Sequence, residues 1–245
     1  MQGIYVGWAI LATLFWLMVL SPFGIFPLVL PWAWVRTPAY FFVRLWGRLC
    51  LWSMGIWCEI EGQEHFKSSR NFIIIANHRS YLDAYILAAI LPRPAKVLGK
   101  EEIMRIPVLG WVFGRVGVAV NRSSKRSGLE SLLRLREALQ QGNDVFVFPE
   151  GTFTPPGEKL LPFKNGAFAV ALDTQTPLLP TCIEDASRCL PDHSWQLRPG
   201  KITVRFLSPI STQGYSRQHL SEVRQQAWQK MHDALQTNTY VLPNS

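Results

Sequence analysis

Two polar clusters, each directly after an apolar run, carry residue types that suit acid–base chemistry. The first cluster is Asn77-His78-Arg79-Ser80-Tyr81-Leu82-Asp83, which follows the run Phe72–Ala76. If the chain turns within this cluster, the carboxylate of Asp83 can bind one imidazole nitrogen of His78 and leave the other free as a general base. The same residues also match a capping box, in which Ser80 caps the next helix and Asp83 occupies its third position. The residues alone leave both interpretations open.

The second cluster is Pro149-Glu150-Gly151-Thr152, which follows the apolar run Val145–Phe148. Glycine allows the backbone to approach a ligand closely, and the Thr152 hydroxyl and the flanking amides can donate hydrogen bonds. Taken by itself, the cluster is equally compatible with an ordinary tight turn.

The elements around these clusters predict an α/β fold. Short apolar runs predict strands at Ile56–Ile60, Phe72–Ala76, Ala95–Leu98, Val116–Val120, Val145–Phe148, Leu178–Ile183 and Ile202–Phe206. Helical periodicity predicts helices at Tyr81–Ile90, Lys125–Gln141, Asn165–Thr174 and Arg217–Gln236. Residues 184–200 are predicted to form a surface loop. Strands that alternate with helices indicate a mixed, mostly parallel sheet flanked by helices.

The N-terminal region is apolar and lacks charge. No charged side chain occurs in Met1–Val35, and Ile4–Leu20 is a nearly unbroken apolar run of 17 residues, the short limit for a spanning helix. Pro22, Pro27 and Pro31 interrupt the apolar residues after this run, which argues against a second straight spanning helix. Seven of the ten tryptophans lie in residues 1–57, and tryptophan favours the membrane interface.

A second helix is predicted at Ala39–Ile56, with Arg44 and Arg48 among aromatic and apolar residues. We therefore expect residues 1–57 to form membrane-anchoring helices, either one span plus an interfacial helix or a re-entrant hairpin, and residues 58–245 to form the catalytic domain. The first charges after the apolar run are basic, so the positive-inside rule places the remainder in the cytoplasm. The alternative is a buried helical pair in a soluble protein.

Net charge and cysteine content limit the kinds of partner and cofactor that the protein can be expected to bind. The net charge of +8 suits nucleic acid, an anionic membrane or an anionic substrate, but the sequence contains no nucleic-acid-binding module, so we expect no nucleic-acid partner. The four cysteines, Cys50, Cys58, Cys182 and Cys189, have neither zinc nor redox spacing. They are expected to be reduced structural thiols, and we expect neither a metal site nor a cofactor.

The two clusters in this order resemble the 1-acylglycerol-3-phosphate acyltransferase family, the glycerophospholipid acyltransferases with a His-x4-Asp motif. The matching residues are Asn77-His78-x-Ser80-x-x-Asp83 and Phe148-Pro149-Glu150-Gly151-Thr152. Between and after them, the family's other two blocks are matched by Lys100, Pro107, Gly110 and Arg122, and by Pro177-Leu178-Leu179-Pro180. The resemblance covers about residues 60–185.

This resemblance implies a reaction and a role for each matching residue. His78 would take the proton from the free hydroxyl of 1-acyl-glycerol-3-phosphate, Asp83 would orient His78, and the acyl group would come from acyl-CoA or acyl carrier protein, giving phosphatidate. Backbone amides near Ser80 would hold the oxyanion. The substrate-binding residues that the resemblance implies are Asn77, Ser80, Lys100, Arg122, Glu150, Gly151 and Thr152, with Lys100 and Arg122 facing the acceptor's phosphate.

One position departs from the family pattern. The common form continues Glu-Gly-Thr-Arg-Ser, whereas this chain reads Glu150-Gly151-Thr152-Phe153-Thr154. Either another cation such as Lys164 or Lys159 replaces the missing arginine, or the acceptor is another lysophospholipid or a lyso-aminolipid. A rival hypothesis of a different class is a non-catalytic, membrane-attached lipid-binding protein with the same fold.

Overall fold

Seven apolar runs of the sequence form the strands of one sheet. The structure is a computed structural model that describes residues 2–29, 33–69, 71–105, 110, 113–114, 117–121, 125–191 and 196–237. The strands are β1 (Ile56–Glu61), β2 (Ile73–Ala76), β3 (Ala95–Lys100), β4 (Gly117–Val120), β5 (Asp144–Val147), β6 (Leu178–Glu184) and β7 (Gly200–Phe206). Each lies within two residues of its predicted bounds.

The strand order is β1-β7-β6-β2-β5-β3-β4, and all pairs except β6–β7 are parallel. The predicted mixed, mostly parallel sheet is therefore confirmed. β2 lies at the centre, and its Ile75 is paired with Val147 of β5. Because parallel strands end at the same edge of a sheet, the clusters that follow β2 and β5 are neighbours.

Helices cover both faces of the sheet. They are α1 (Gln2–Val29), α2 (Ala33–Ser53), α3 (Asp83–Ile90), α4 (Lys125–Gln140), α5 (Gly166–Thr174), α6 (Ala186–Cys189) and α7 (Leu220–Thr237). Successive residues of β2 point to opposite faces of the sheet. Ile74 packs on one face in a core with α2 and α3, whereas Ile73 and Ile75 pack on the other face with α4, α5 and α7. With both faces covered, β2 is a continuous buried run rather than an alternating one.

The first helix extends further than the sequence predicts. α1 continues through Pro22 and Pro27, so these two prolines do not interrupt the helix; Pro31 lies outside the described residues. Within the described residues one stretch is long and apolar enough to span a membrane, which agrees with the expectation that no second straight spanning helix follows. A proline removes the hydrogen bond to the carbonyl four residues earlier, which for Pro22 is that of Met18. The hydroxyl of Ser21 donates to this carbonyl at 3.2 Å and so replaces the lost bond.

The stretch Tyr5–Phe23 of α1 is long and apolar enough to cross a membrane, by length and composition. Only 11% of the stretch is buried inside the protein, and Leu11 and Met18 are 64% and 69% exposed. An exposed apolar flank of this size indicates membrane association. The boundary between anchor and catalytic domain at residues 57 and 58 stays a prediction.

The two N-terminal helices are bound to the rest of the fold. The Tyr5 hydroxyl donates to Met54 O at 2.6 Å and the Trp8 indole to Ser53 O at 2.8 Å, so α1 satisfies carbonyls at the end of α2. α2 in turn packs closely on α3 at Gly47, where an added Cβ would lie 2.7 Å from Ala89 N. α1 and α2 therefore support α3, which begins with Asp83.

The segment 184–200 is not a simple surface loop. It contains α6, whose Ala186 and Cys189 are buried, and Leu197 is buried as well. The helix has only four residues, too few for a helical period to show in the sequence. Its burial matters because the following residue, Leu190, contacts the candidate site.

Candidate active site

Asn77 fixes the end of β2. Its Nδ2 donates to Ile183 O at 2.8 Å, and its Oδ1 accepts from Ile183 N at 2.7 Å. The side chain is fully buried and extends the pairing between β2 and β6 by one step. Asn77, a predicted substrate-binding residue, thus lies in the wall that positions His78.

His78 and Asp83 form a close pair. Nδ1 of His78 lies 2.8 Å from Oδ2 of Asp83, and their side chains are 18% and 1% exposed. A ring nitrogen that faces a carboxylate carries the proton, so Nε2 presents its lone pair. Among the described residues Nε2 has no hydrogen-bond partner. The pair therefore has the geometry of an oriented general base.

The same carboxylate oxygen also organises the turn before α3. Oδ2 of Asp83 accepts from the amides of Arg79 at 3.0 Å and Ser80 at 3.2 Å. The bond from the Ser80 amide to Asp83 is one half of a capping box, but α3 begins at Asp83 with Leu82 at its N-cap and no side-chain cap, so Ser80 does not cap the helix. The Ser80 hydroxyl accepts from Leu82 N at 3.1 Å and donates to Leu190 O at 2.7 Å. Ser80 is fully buried and joins the turn between His78 and Asp83 to the residue after α6.

These bonds bear on the expected oxyanion donors. The amides of Arg79, Ser80 and Leu82 donate to side-chain oxygens of the turn, and the amide of Asp83 donates to Ser80 O at 3.1 Å. In this arrangement none of the four is open to a substrate carbonyl. The amide of Tyr81, directly after Ser80, makes no such bond among the described residues, so an oxyanion role for amides near Ser80 stays a prediction.

Glu150 joins the two clusters. Its Oε1 accepts the amide of His78 at 3.0 Å, and its Oε2 accepts the Thr154 hydroxyl at 2.6 Å and the amide of Leu161 at 2.8 Å. The side chain is buried, so this carboxylate orders the loop that follows β5. Burial raises the pKa of Glu150 above its ordinary value, and the hydrogen bonds from Thr154, Leu161 and His78 oppose that rise.

Aromatic rings cover both faces of the imidazole of His78. Phe148 is stacked on one face at a centroid distance of 3.8 Å and an angle of 13°. Phe153 lies on the other face at 4.0 Å and 34°, and Tyr81 contacts Phe153 edge-on at 4.9 Å. Phe153, where the family pattern has arginine, is thus part of the environment of His78.

The predicted phosphate contacts are less closely grouped. Lys100 ends β3 at the same edge of the sheet, and its Nζ is 3.0 Å from Glu102 in an exposed ion pair. Arg122 lies outside the described residues, and so does Pro107. The structure therefore brings together His78, Asp83 and Glu150, and leaves Lys100 in a surface pair.

Gly151 and Thr152 begin the loop over the site. Gly151 has a φ of +71°, which glycine adopts without strain, and a Cβ there would lie 2.6 Å from Nζ of Lys164. The Lys164 ammonium therefore lies against the backbone of the second cluster, while Thr152 is exposed beside it. Lys164 is one of the two lysines that the sequence offers in place of the missing arginine.

The cysteine thiols of the protein do not supply a nucleophile for this site, and the described residues form no metal site. Burial raises the pKa of Cys182 to about 12 and that of Cys58 to about 11, so neither thiol is an activated nucleophile. Within the described part of the chain, no group of three or more His, Cys, Asp or Glu side chains could hold a metal ion. That the protein uses no cofactor stays a prediction.

Known proteins are similar to this chain in sequence and in fold. The family model described as Acyltransferase matches residues 58–184, just over half of the chain. Proteins named 1-acyl-sn-glycerol-3-phosphate acyltransferase are similar: that of Cocos nucifera is 29% identical over 212 residues, 85% of this chain and 66% of the relative. That of Saccharomyces cerevisiae is 30% identical over 190 residues, 76% of this chain and 62% of the relative. The chain thus spans about two thirds of the length of these relatives.

A solved structure agrees over the full length. The crystal structure of the 1-acyl-sn-glycerophosphate acyltransferase PlsC from Thermotoga maritima superimposes with a TM-score of 0.80 and 25% sequence identity, covering 100% of both chains. The resemblance found in the motifs is therefore confirmed by sequence and fold. This chain belongs to the Acyltransferase family, the family of its 1-acyl-sn-glycerol-3-phosphate acyltransferase relatives.

Proposed function

We propose that the protein transfers a fatty acyl group from an acyl thioester to the free hydroxyl of 1-acyl-sn-glycerol-3-phosphate, giving phosphatidate, with His78 as the general base. The names of its relatives and of the similar crystal structure support this acceptor. The observation that carries the chemistry is the 2.8 Å bond between Asp83 and Nδ1 of His78, which leaves Nε2 for the substrate.

The reaction follows from this geometry. Nε2 of His78 takes the proton of the acceptor hydroxyl, and the oxygen attacks the thioester carbonyl. The C–S bond then breaks, the new ester forms, and the imidazolium returns its proton to the leaving thiolate. Asp83 stabilises the imidazolium during the transfer, and a base of this kind accelerates a reaction about 10²–10⁴-fold.

Direct transfer also agrees with the thiols and hydroxyls of the site. The described buried thiols have raised pKa values, as expected of structural cysteines, and Ser80 and Thr154 are held by backbone and carboxylate groups. No activated nucleophile other than the acceptor hydroxyl is required. In this proposal the thioester is acyl-CoA or the acylated form of acyl carrier protein.

Lys164 replaces the missing arginine as a phosphate contact in this proposal. Of the two lysines considered, Lys159 donates to Leu235 O at 3.2 Å and so faces the end of α7. Lys164 instead lies against Gly151, beside the turn that carries Glu150. A flexible ammonium there can reach a phosphate as a point charge.

A second acceptor class is favoured by one observation. Phe153 presents an aromatic ring to His78 where the family pattern has a guanidinium. Without that charge, another lysophospholipid or a lyso-aminolipid competes better with lysophosphatidate. The chemistry at His78 is the same for both acceptors.

The proposed orientation follows from the charges near the membrane. Arg44 and Arg48 lie on α2, after the uncharged stretch that includes α1. Basic residues remain on the cytoplasmic side, so we place the catalytic site on the cytoplasmic face of the membrane.

The test is acylation of a panel of acceptors by purified protein in detergent micelles, with radiolabelled acyl-CoA and acyl carrier protein as donors. Lysophosphatidate should be acylated best. Lys164→Ala should raise the KM for lysophosphatidate about tenfold, since a charged hydrogen bond is lost at a partly screened site. The matched variant Lys159→Ala should leave that KM unchanged. Preference for another lysolipid would overturn the acceptor assignment but not the reaction class.

A further inference from the structure

The position of Phe153 is fixed by the loop on which it lies. The next residue, Thr154, donates its amide to the carbonyl of His78 at 2.7 Å and its hydroxyl to Glu150 at 2.6 Å. Glu150, on the other side of Phe153, accepts the amide of His78. The backbone that carries Phe153 is therefore attached twice to the backbone of His78.

Phe148, the ring on the other face of the His78 imidazole, is also fixed in position. Phe148 follows β5 directly, contacts the buried Phe146 edge-on at 5.0 Å, and packs against the core shared with α2 and α3. The imidazole of His78 thus lies in a slot with one wall from the core and one wall from the loop. Tyr81, which is 53% exposed, supports the outer wall through its contact with Phe153.

This slot restricts the motion that the bond to Asp83 leaves free. A single hydrogen bond at Nδ1 lets an imidazole tilt about the line between the two residues. Rings on both faces prevent that tilt, because their separation from the imidazole is already van der Waals contact. Nε2 then points along the plane of the slot, which is also the direction of its lone pair.

We propose that Phe153 is a positioning residue for His78, which holds the imidazole plane so that Nε2 faces the acceptor hydroxyl. This inference rests on the proposed function, in which His78 is the general base. Phe153 acts on the base, whereas the arginine of the family pattern was expected to act on the phosphate. The substitution therefore moves the role of this position from substrate binding to orientation of the base.

The kinetic test compares Phe153→Leu, which keeps an apolar side chain but removes the flat ring, with Phe153→Tyr, which keeps the ring. Misplacement of a reacting group by about 1 Å can cost about 10²-fold in rate. We expect Phe153→Leu to lower kcat about tenfold or more with little change in either KM, and Phe153→Tyr to retain most of the wild-type kcat. Tyr215→Leu is the matched control, because it removes a ring that lies 5.2 Å from the remote His219.

A second measurement does not depend on turnover. The rate at which diethyl pyrocarbonate modifies each histidine can be followed by mass spectrometry of its peptide. In Phe153→Ala the slot loses one wall, so His78 should be modified several-fold faster than in wild type. His65, which lies in the turn Gln63–Lys67, should keep its rate and serves as the internal control.

The outcomes separate this inference from the proposed function. An unchanged kcat in Phe153→Leu, or an unchanged modification rate of His78 in Phe153→Ala, would overturn the positioning role while the acyl transfer by wild type still supports the function. A raised KM for the acceptor at constant kcat would show that Phe153 contacts the substrate instead. A wild-type protein that acylates no acceptor would overturn the proposed function itself.

Discussion

Replacement of Asp83 by asparagine tests the His78–Asp83 pair with the smallest possible change. Oδ2 of Asp83 accepts three hydrogen bonds, from Nδ1 of His78 and from the amides of Arg79 and Ser80. Oδ1 is buried and has no hydrogen-bond partner within the described structure. An asparagine has one oxygen and one amide nitrogen, so only one of these two groups can take the place of Oδ2.

Neither orientation of the asparagine restores the base. With its oxygen in the place of Oδ2, the three donors keep an acceptor, but the buried amide nitrogen lacks a partner, at a cost of about 1–3 kcal/mol. With its nitrogen there, His78 must accept at Nδ1 and carry its proton on Nε2, which is the wrong tautomer for a base. Both orientations also lose the charge that stabilises the imidazolium. We expect kcat to fall about 10²–10⁴-fold, or about 2.7–5.4 kcal/mol in activation free energy.

The assay is transfer of radiolabelled acyl groups to lysophosphatidate at saturating substrates, with the free energy of unfolding measured in parallel. Asp144→Asn is the matched control. Asp144 is also a buried aspartate; it binds Arg93 at 2.6 Å and the amide of Phe72 at 2.7 Å, but it begins β5 at the opposite edge of the sheet. Its replacement should lower the free energy of unfolding by about 1.5–3 kcal/mol and leave kcat of the folded protein unchanged.

The two variants should therefore separate the loss of kcat from the loss of stability. Asp83→Asn should lose activity far beyond its loss of stability, and Asp144→Asn should lose stability alone. If Asp83→Asn kept more than about a tenth of the wild-type kcat, the pair would contribute too little for general-base catalysis and the reasoning would be refuted.

Three further predictions concern packing, pH and the anchor. Gly47→Ala should lower the free energy of unfolding by about 1–3 kcal/mol, because its Cβ would meet Ala89 N. Gly128→Ala is the control: its Cβ meets open space, so it should raise the free energy of unfolding by up to about 1 kcal/mol. Equal effects of the two variants in chemical unfolding would contradict the close packing of α2 on α3. Burial raises the pKa of Glu150, so its contribution to stability is complete below the ordinary carboxyl value of 4.5 and is lost as pH rises through the raised value. Glu150→Gln should remove this part of the pH dependence of unfolding, and unchanged curves would refute it. Deletion of residues 1–57 should release the protein from membranes or make it insoluble, because the candidate span Tyr5–Phe23 is lost; a truncated protein that is recovered with membranes to the same extent as wild type would contradict the anchor.

The sheet and the contact between His78 and Asp83 could be predicted from the sequence. Each strand was a short apolar run, and the motif spacing placed His78 and Asp83 on one turn between β2 and α3. Local patterns of this kind depend on residues close in the chain, so they can be read without knowing the tertiary structure.

The long-range contacts of the site could not be predicted in this way. Asn77 binds Ile183 across more than a hundred residues, and Phe153 covers His78 from a loop that follows another strand. A sequence pattern shows which residues are polar or aromatic but not which partner each one meets. The family resemblance implies that Asn77 and Ser80 bind substrate, and this role stays a prediction; the pattern does not show that both side chains are buried in hydrogen bonds to the backbone.

The helix boundaries show the same limit at shorter range. Pro22 was expected to interrupt the apolar residues, because its missing amide leaves the carbonyl of Met18 without its helical partner. The neighbouring Ser21 hydroxyl supplies that partner, and α1 continues to Val29. A propensity rule fails here because one adjacent side chain offsets its physical cause.

The most direct test of the central claim is the rate of phosphatidate formation from lysophosphatidate and acyl thioester by wild type, His78→Ala and His65→Ala, with the product identified by mass spectrometry. His78→Ala should be slower by about 10²–10⁴-fold, and His65→Ala should match wild type. Phosphatidate formation at an undiminished rate by folded His78→Ala protein would contradict the assignment of His78 as the base.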